Sequence, residues 1–196
     1  MLIGMPTVFV RTCGCNLQCE WCDTTYARIE EGIEMSPLDI LEKVKGFKSR
    51  FVCLTGGEPL LNKDVYKLTD ILLQNAFHVS IETNGSISLE DLPCSDNLLI
   101  SMDIKCPSSG MSDRMKLENL ELLSPADQLK FVVADKDDFS FAVKILKEHQ
   151  VQCPVIVTPV GGLDIRPVAE WVLKSGLHVR VLPQLQKLIW GQRRGT

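Results

Sequence analysis

Seven short runs rich in apolar and β-branched residues, at 7–12, 51–54, 78–82, 98–103, 128–133, 155–157 and 178–182, recur along the chain, with helical patterns between most of them. Near-continuous apolar runs of about four to eight residues, rather than strict alternation, are what strands covered on both faces look like. Strands alternating with helices across short links specify a parallel sheet with right-handed crossovers. Ser36-Pro37-Leu38-Asp39 offers a cap, a proline at the first helical position and an acid three residues after the cap, predicting a helix over about 37–46. Val65, Leu68 and Leu72 share one stripe of 63–75, and Phe139, Ala142, Ile145 and Leu146 one stripe of 138–149. A helix over 164–175 would end at Gly176, a residue suited to a left-handed cap. The pattern over 113–123 is the least regular. A complete eightfold barrel takes roughly 250 residues, more than the 196 here. The expected fold is therefore an incomplete TIM-type barrel of about six parallel strands with helices outside, one domain over 1–196; a doubly wound open sheet is the alternative.

Composition narrows the class of function. Apolar residues at 45% and charged residues at 23% describe a globular chain. No segment reaches the 18 or so apolar residues of a membrane span, and the start, Met-Leu-Ile-Gly-Met-Pro, is too short and uncharged for a signal peptide, so a cytoplasmic setting is expected. With 21 Lys and Arg against 25 Asp and Glu, the net charge of −4 does not favour a polyanion. A small-molecule partner is expected, with no direct nucleic acid and no membrane. Eight cysteines in 196 residues fall well under the roughly 8–10% of a disulfide scaffold, which reads as metal ligands or buried apolar residues.

Three of those cysteines lie together in Cys15-Asn16-Leu17-Gln18-Cys19-Glu20-Trp21-Cys22, in a loop just after the first strand. Thiolates at spacings of four and three can converge on one inorganic centre. Structural zinc wants four ligands, and a second Cys-x-x-Cys pair is absent. A 4Fe-4S cluster held by three cysteines leaves one iron open for a substrate or cofactor. The competing reading makes Cys13 a fourth ligand and the site a closed, non-catalytic metal-binding module. After the second strand comes Thr55-Gly56-Gly57-Glu58-Pro59, whose paired glycines permit close backbone approach to a ligand and whose carboxylate could accept from an ammonium group.

Through the cysteine loop and Gly-Gly-Glu-Pro, the sequence resembles the radical S-adenosylmethionine enzymes. That resemblance implies an open iron chelating the amino and carboxylate groups of S-adenosyl-L-methionine, and one-electron cleavage of the sulfonium to a 5′-deoxyadenosyl radical. Further patches at 9–17, 21–24, 82–86, 103–110, 182–185 and 190–191 resemble the 7-carboxy-7-deazaguanine synthase family and span nearly the whole chain. For that family the implied reaction is conversion of 6-carboxy-5,6,7,8-tetrahydropterin to 7-carboxy-7-deazaguanine with loss of ammonia, on the route to queuosine or archaeosine. The implied cofactors are a 4Fe-4S cluster, S-adenosyl-L-methionine and Mg2+; the implied partners are a flavodoxin- or ferredoxin-type electron donor and a second copy of the chain. A glycyl-radical activase is the enzymatic alternative.

Carried over by resemblance, Cys15, Cys19 and Cys22 hold the cluster and Thr24 is the magnesium ligand. Trp21, Asp23, Gly57, Glu58, Asp103, Ile104, Lys105, Thr158, Pro159, Val160 and Gly161 contact S-adenosylmethionine. Arg11 clamps the substrate carboxylate, as a planar fork can; Thr55 and the terminal carboxylate of Thr196 also touch the substrate. All these groups follow strands one, two, four and six except Thr196, which gives one composite face. Lys187, Arg193 and Arg194 read as a solvated basic tail, and Cys53, Cys94, Cys106 and Cys153 as small buried apolar residues. His78 and His178 open strands and are expected to take no part in catalysis. Two departures stand out: the family's Ser-Ile-Gln-Gly-Glu-Gly motif belongs just upstream of where this chain starts, and Gln186 stands where the family usually has histidine.

Overall fold

A computed structural model describes residues 2–191 and 193. Its seven strands are β1 (Thr7–Thr12), β2 (Phe51–Gly56), β3 (His78–Thr83), β4 (Leu98–Lys105), β5 (Gln128–Val133), β6 (Val155–Pro159) and β7 (Arg180–Val181). They lie side by side in chain order, every neighbouring pair parallel. Order without reversal is the signature of a barrel that has not closed. It excludes the doubly wound alternative, whose strand order turns back at a switch point.

Among the described residues seven α-helices accompany the sheet: α1 (Thr25–Ile29), α2 (Pro37–Lys45), α3 (Lys63–Gln74), α4 (Asn119–Leu122), α5 (Lys136–Glu148), α6 (Arg166–Ser175) and α7 (Leu185–Trp190). Local chemistry starts the long ones. The Ser36 hydroxyl accepts from the Asp39 N–H at 3.2 Å while the Asp39 carboxylate accepts from the Ser36 N–H, closing the expected capping box. Asn62 caps α3 and Asp135 caps α5 by accepting from backbone N–H groups one turn in. Gly176 ends α6 with φ 68°. The irregular stretch 113–123 holds a 3-10 turn and only the one-turn α4.

The helices cover one face of the sheet, where Val52, Leu54, Ile81, Met102, Leu129, Phe131 and Val157 form a single core with Leu68, Leu72, Ala142, Ile145 and Val168. The other face is buried as well, as expected, with Cys53, Ser80, Ser101 and Gln128 all buried, but its side chains are largely polar rather than apolar. On the opposite, concave face the same strands present Cys53, Ser80, Glu82, Ser101, Asp103, Gln128 and Lys130, aligned by the register Glu82↔Ser101↔Gln128 and Asp103↔Lys130. These polar groups satisfy one another: Lys130 Nζ donates to Glu82 Oε2 at 2.6 Å and Gln128 Nε2 to Ser101 Oγ at 2.8 Å. Apolar residues thus alternate with polar ones, and the polar members survive burial because each has a partner.

Candidate active site

The C-terminal ends of the strands open on one mouth, and the cysteine loop enters it from β1. Two backbone bonds set the loop's path, Gly14 N–H to Ala27 O at 2.8 Å and Cys22 N–H to Cys19 O at 3.2 Å, with Leu17 buried beneath. A third bond docks it on the neighbouring turn: Glu58 N–H donates to Gly14 O at 2.9 Å. That approach requires glycine at 57, where a Cβ would lie 2.0 Å from Gly14 O and 2.8 Å from Cys15 Cβ. Gly56 has φ 146° and is similarly closed in by Thr12.

Cys15, Cys19 and Cys22 are free and half-buried. Burial pushes the Cys19 thiol up, Lys105 pulls it back, and the charges of Cys22 and Cys15 push it up again, so the three sulfurs sit within each other's field. Among the described residues no three His, Cys, Asp or Glu side chains gather tightly enough to hold a single metal ion. Three soft thiolate donors in one loop suit an iron-sulfur cluster. Cys13 is exposed, its sulfur packed against Gly32 in a cavity of about 240 Å3 that Arg11 and Tyr26 also line.

Behind the ring, the β2 and β3 ends are locked together. Glu58 is 1% exposed, and its carboxylate accepts from Leu60 N–H at 3.1 Å, Thr83 Oγ at 2.9 Å and Asn84 N–H at 2.6 Å. Its side chain is engaged within the protein, and the Gly57 backbone is what faces the cysteine loop. Asn84, Ser86 and Asn16 form a further hydrogen-bonded ring beside Cys15.

From β4, Asp103 Oδ2 accepts from Lys105 Nζ at 2.8 Å while Asp103 Oδ1 is buried with no partner among the described residues, an acceptor of the kind a ligand hydroxyl or ammonium would fill. Lys105 lies 5.6 Å from the centre of the Trp21 ring. Trp21 Nε1 donates to Ser108 Oγ at 3.0 Å, and Ser108 donates through both its N–H and its hydroxyl to Asp138, a carboxylate 1% exposed at the start of α5. Ile104, by contrast, buries its side chain in the helix-covered core.

The remaining expected residues are distributed as follows. The Arg11 guanidinium is exposed and sits 5.7 Å over the Tyr26 ring. Thr55 O accepts from Thr12 Oγ at 3.2 Å. The Thr158 hydroxyl donates to Leu182 O, Pro159 is buried, Val160 N–H donates to Val133 O, and Gly161 turns with φ 82°. Thr24 donates to Asp23 Oδ1 at 2.9 Å. Burial alone would raise the Asp23 carboxyl; hydrogen bonds from Lys187 and Thr24 bring it below the usual range. Lys187 is therefore no solvated tail residue: its Nζ is 2.8 Å from Asp23 Oδ2 and its side chain is 9% exposed, pinning α7 to the cysteine loop. Cys53, Cys106 and Cys153 are buried as expected, but Cys94 is exposed. Thr196 and Arg194 lie outside the described residues.

The radical SAM superfamily model matches residues 9–116. A 7-carboxy-7-deazaguanine synthase of Thermoplasma acidophilum is 38% identical over 193 residues, covering 98% of this chain and 92% of that one. The enzyme of the same name from Methanospirillum hungatei JF-1 is 40% identical over 187 residues, 95% of this chain and 78% of its own. Among solved structures, QueE from Escherichia coli superposes with a TM-score of 0.69 at 24% identity over 92% of this chain and 87% of that one. Streptococcus suis SuiB, solved bound to S-adenosylmethionine, gives 0.62 at 15% identity over 92% of this chain and 48% of its own. The two structures share this fold.

Proposed function

Because the chain belongs to the radical S-adenosylmethionine superfamily and, within it, to the 7-carboxy-7-deazaguanine synthases, we propose that Cys15, Cys19 and Cys22 hold its 4Fe-4S cluster in the mouth of the half-barrel. The reaction is the conversion of 6-carboxy-5,6,7,8-tetrahydropterin to 7-carboxy-7-deazaguanine with loss of ammonia. When bound, the cluster and S-adenosylmethionine supply the one-electron chemistry that starts the ring contraction.

The chain's own residues bind, orient and shield. Gly57 lets the turn after β2 lie against the cysteine loop, so its backbone can meet the methionine end of the cofactor, and Glu58 holds that turn from beneath. Trp21, Asp23, the 103–105 segment and the 158–161 segment line the cofactor's remaining length, with Asp103 Oδ1 offering an acceptor that none of the described residues fills. Arg11, at the end of β1, offers the fork for the substrate carboxylate, with Thr55 on the adjacent strand and Thr196 at the chain's end. Thr24, its hydroxyl beside the Asp23 carboxylate, provides hard oxygen for Mg2+. Family resemblance also supports two copies acting together, a flavodoxin- or ferredoxin-type electron donor and a cytoplasmic setting.

The observation that carries the reading is the contact of the three-thiol loop with the glycine turn at the barrel mouth. Anaerobically reconstituted protein should be brown and hold about four irons, and with the pterin, S-adenosylmethionine, Mg2+ and reductant it should release the deazapurine, identified by mass. A colourless protein containing zinc would overturn the assignment.

A further inference from the structure

We infer that Asn84 donates a hydrogen bond to the Cys15 sulfur and so sets the reduction potential of the cluster. The inference rests on the ligand assignment proposed above. Asn84 Nδ2 lies 3.8 Å from Cys15 Sγ and 3.1 Å from Asn16 Oδ1.

Which end of a carboxamide meets a sulfur is decided by its other neighbours. Asn84 Oδ1 accepts from the Ser86 backbone N–H at 3.0 Å and from Ser86 Oγ at 2.6 Å. A backbone N–H only donates, so the carbonyl end is tied to Ser86 and the NH2 end is the one left to face Cys15. Asn16, next to Cys15 in sequence, completes the ring by donating from Nδ2 to Ser86 Oγ at 2.8 Å. The Asn84 backbone is gripped from the opposite side by the buried Glu58 carboxylate at 2.6 Å. With Asn84 itself 6% exposed, the amide is held from both ends and little water competes for the sulfur.

A fixed N–H aimed at a ligating thiolate withdraws charge from it. The added electron of the reduced cluster is then better tolerated, and the potential rises. Residues around Glu58 brace the same turn without touching the sulfur, so bracing and tuning separate by mutation.

The test uses the full chain, reconstituted anaerobically as wild type, Asn84→Ala, Asn84→Asp and Thr83→Val. Iron is counted, and the reduced cluster is titrated by electron paramagnetic resonance against poised dyes. Asn84→Ala should keep about four irons yet shift the reduced-to-oxidised ratio at a given solution potential by about tenfold toward oxidised, equivalent to 59 mV for one electron. Asn84→Asp keeps the shape and an acceptor for Ser86 but turns an anionic oxygen on Cys15; it should shift the ratio further, and it covers the case in which the alanine variant fails to fold. Thr83→Val removes the hydroxyl's contacts to Glu58 and to the Gly85 N–H, neither of which touches the sulfur, and should melt earlier at the wild-type potential. Iron-loaded Asn84 variants with the wild-type potential would overturn the inference and leave the ligand assignment standing. A wild-type chain that takes up no iron would overturn both.

Discussion

The Glu58 carboxylate and the Asn84 backbone N–H meet at 2.6 Å beneath the cysteine loop, joining the end of β2 to the end of β3 where neither is exposed to water. Burial raises the Glu58 acid, and the donors Asn84, Leu60 and Thr83 oppose that rise by favouring the charged form. An acid in a Gly-Gly-Glu-Pro turn thus serves as a buried latch between strands.

Replacing Glu58 with Ala leaves three buried donors unpaired. At about 1–3 kcal/mol for an unsatisfied group, partly offset by relaxation, the loss should be about 3 kcal/mol in chemical denaturation. Glu58→Gln keeps one oxygen but sets an NH2 against a backbone donor, and should fall between the two.

Gly57→Ala should spare the fold and spoil the site. A methyl group placed 2.0 Å from Gly14 O must push the cysteine loop away from β2, carrying Cys15 with it. Iron uptake should drop by tenfold or more, roughly the loss seen when groups supporting a metal site are removed, while circular dichroism stays unchanged. Retained iron at the wild-type level would contradict the close packing.

Asp138 should govern Trp21 from the start of α5, since Ser108 is the only residue between them. In a background with Trp171 and Trp190 changed to Phe, Asp138→Ala should alter the emission of Trp21 and cost about 3 kcal/mol, from the N–H groups of Ser108 and Ala134 left without an acceptor. An emission spectrum identical to the parent would remove Asp138 from the support of the loop.

Lys130 supplies a pH dependence. Burial alone would lower its ammonium, but Glu82 at 2.6 Å and the nearby Asp103 hold it above the ordinary lysine range. A group raised on folding stabilises fully below its unfolded value of about 10.4 and loses that contribution as pH climbs through the folded value. Denaturation midpoints should therefore fall more steeply above about pH 10 in the wild type than in Glu82→Gln/Lys130→Met. Parallel profiles would show that the pair contributes nothing.

The strand positions were legible as short runs rich in apolar and β-branched residues, and β1 and β5 match their sequence ranges end to end. The polar alternates were harder to read. Glu82, Asp103 and Lys130 look like interruptions until the register shows them meeting on one face, which is also why β4 runs on to Lys105. Helices α1 and α7 escaped notice because they are five and six residues long and neither has a side-chain cap. The three thiols and the glycine turn could be read from spacing alone. Asp138, Ser108 and Lys187 could not, since their partners are distant in sequence: Lys187 meets Asp23 across 164 positions. Cys94 is exposed in the irregular link between β3 and β4, a link that packs Ile87, Leu89 and Leu92 on the core instead.

The Glu58 amide that reaches across to Gly14, with the Asn84 side chain on Cys15 and Asn16, couples the sheet's rim to the thiol loop. Whatever grips the sulfurs must then slow solvent exchange at that amide, and whatever frays the rim must loosen the grip by an equal free energy, because linkage runs in both directions.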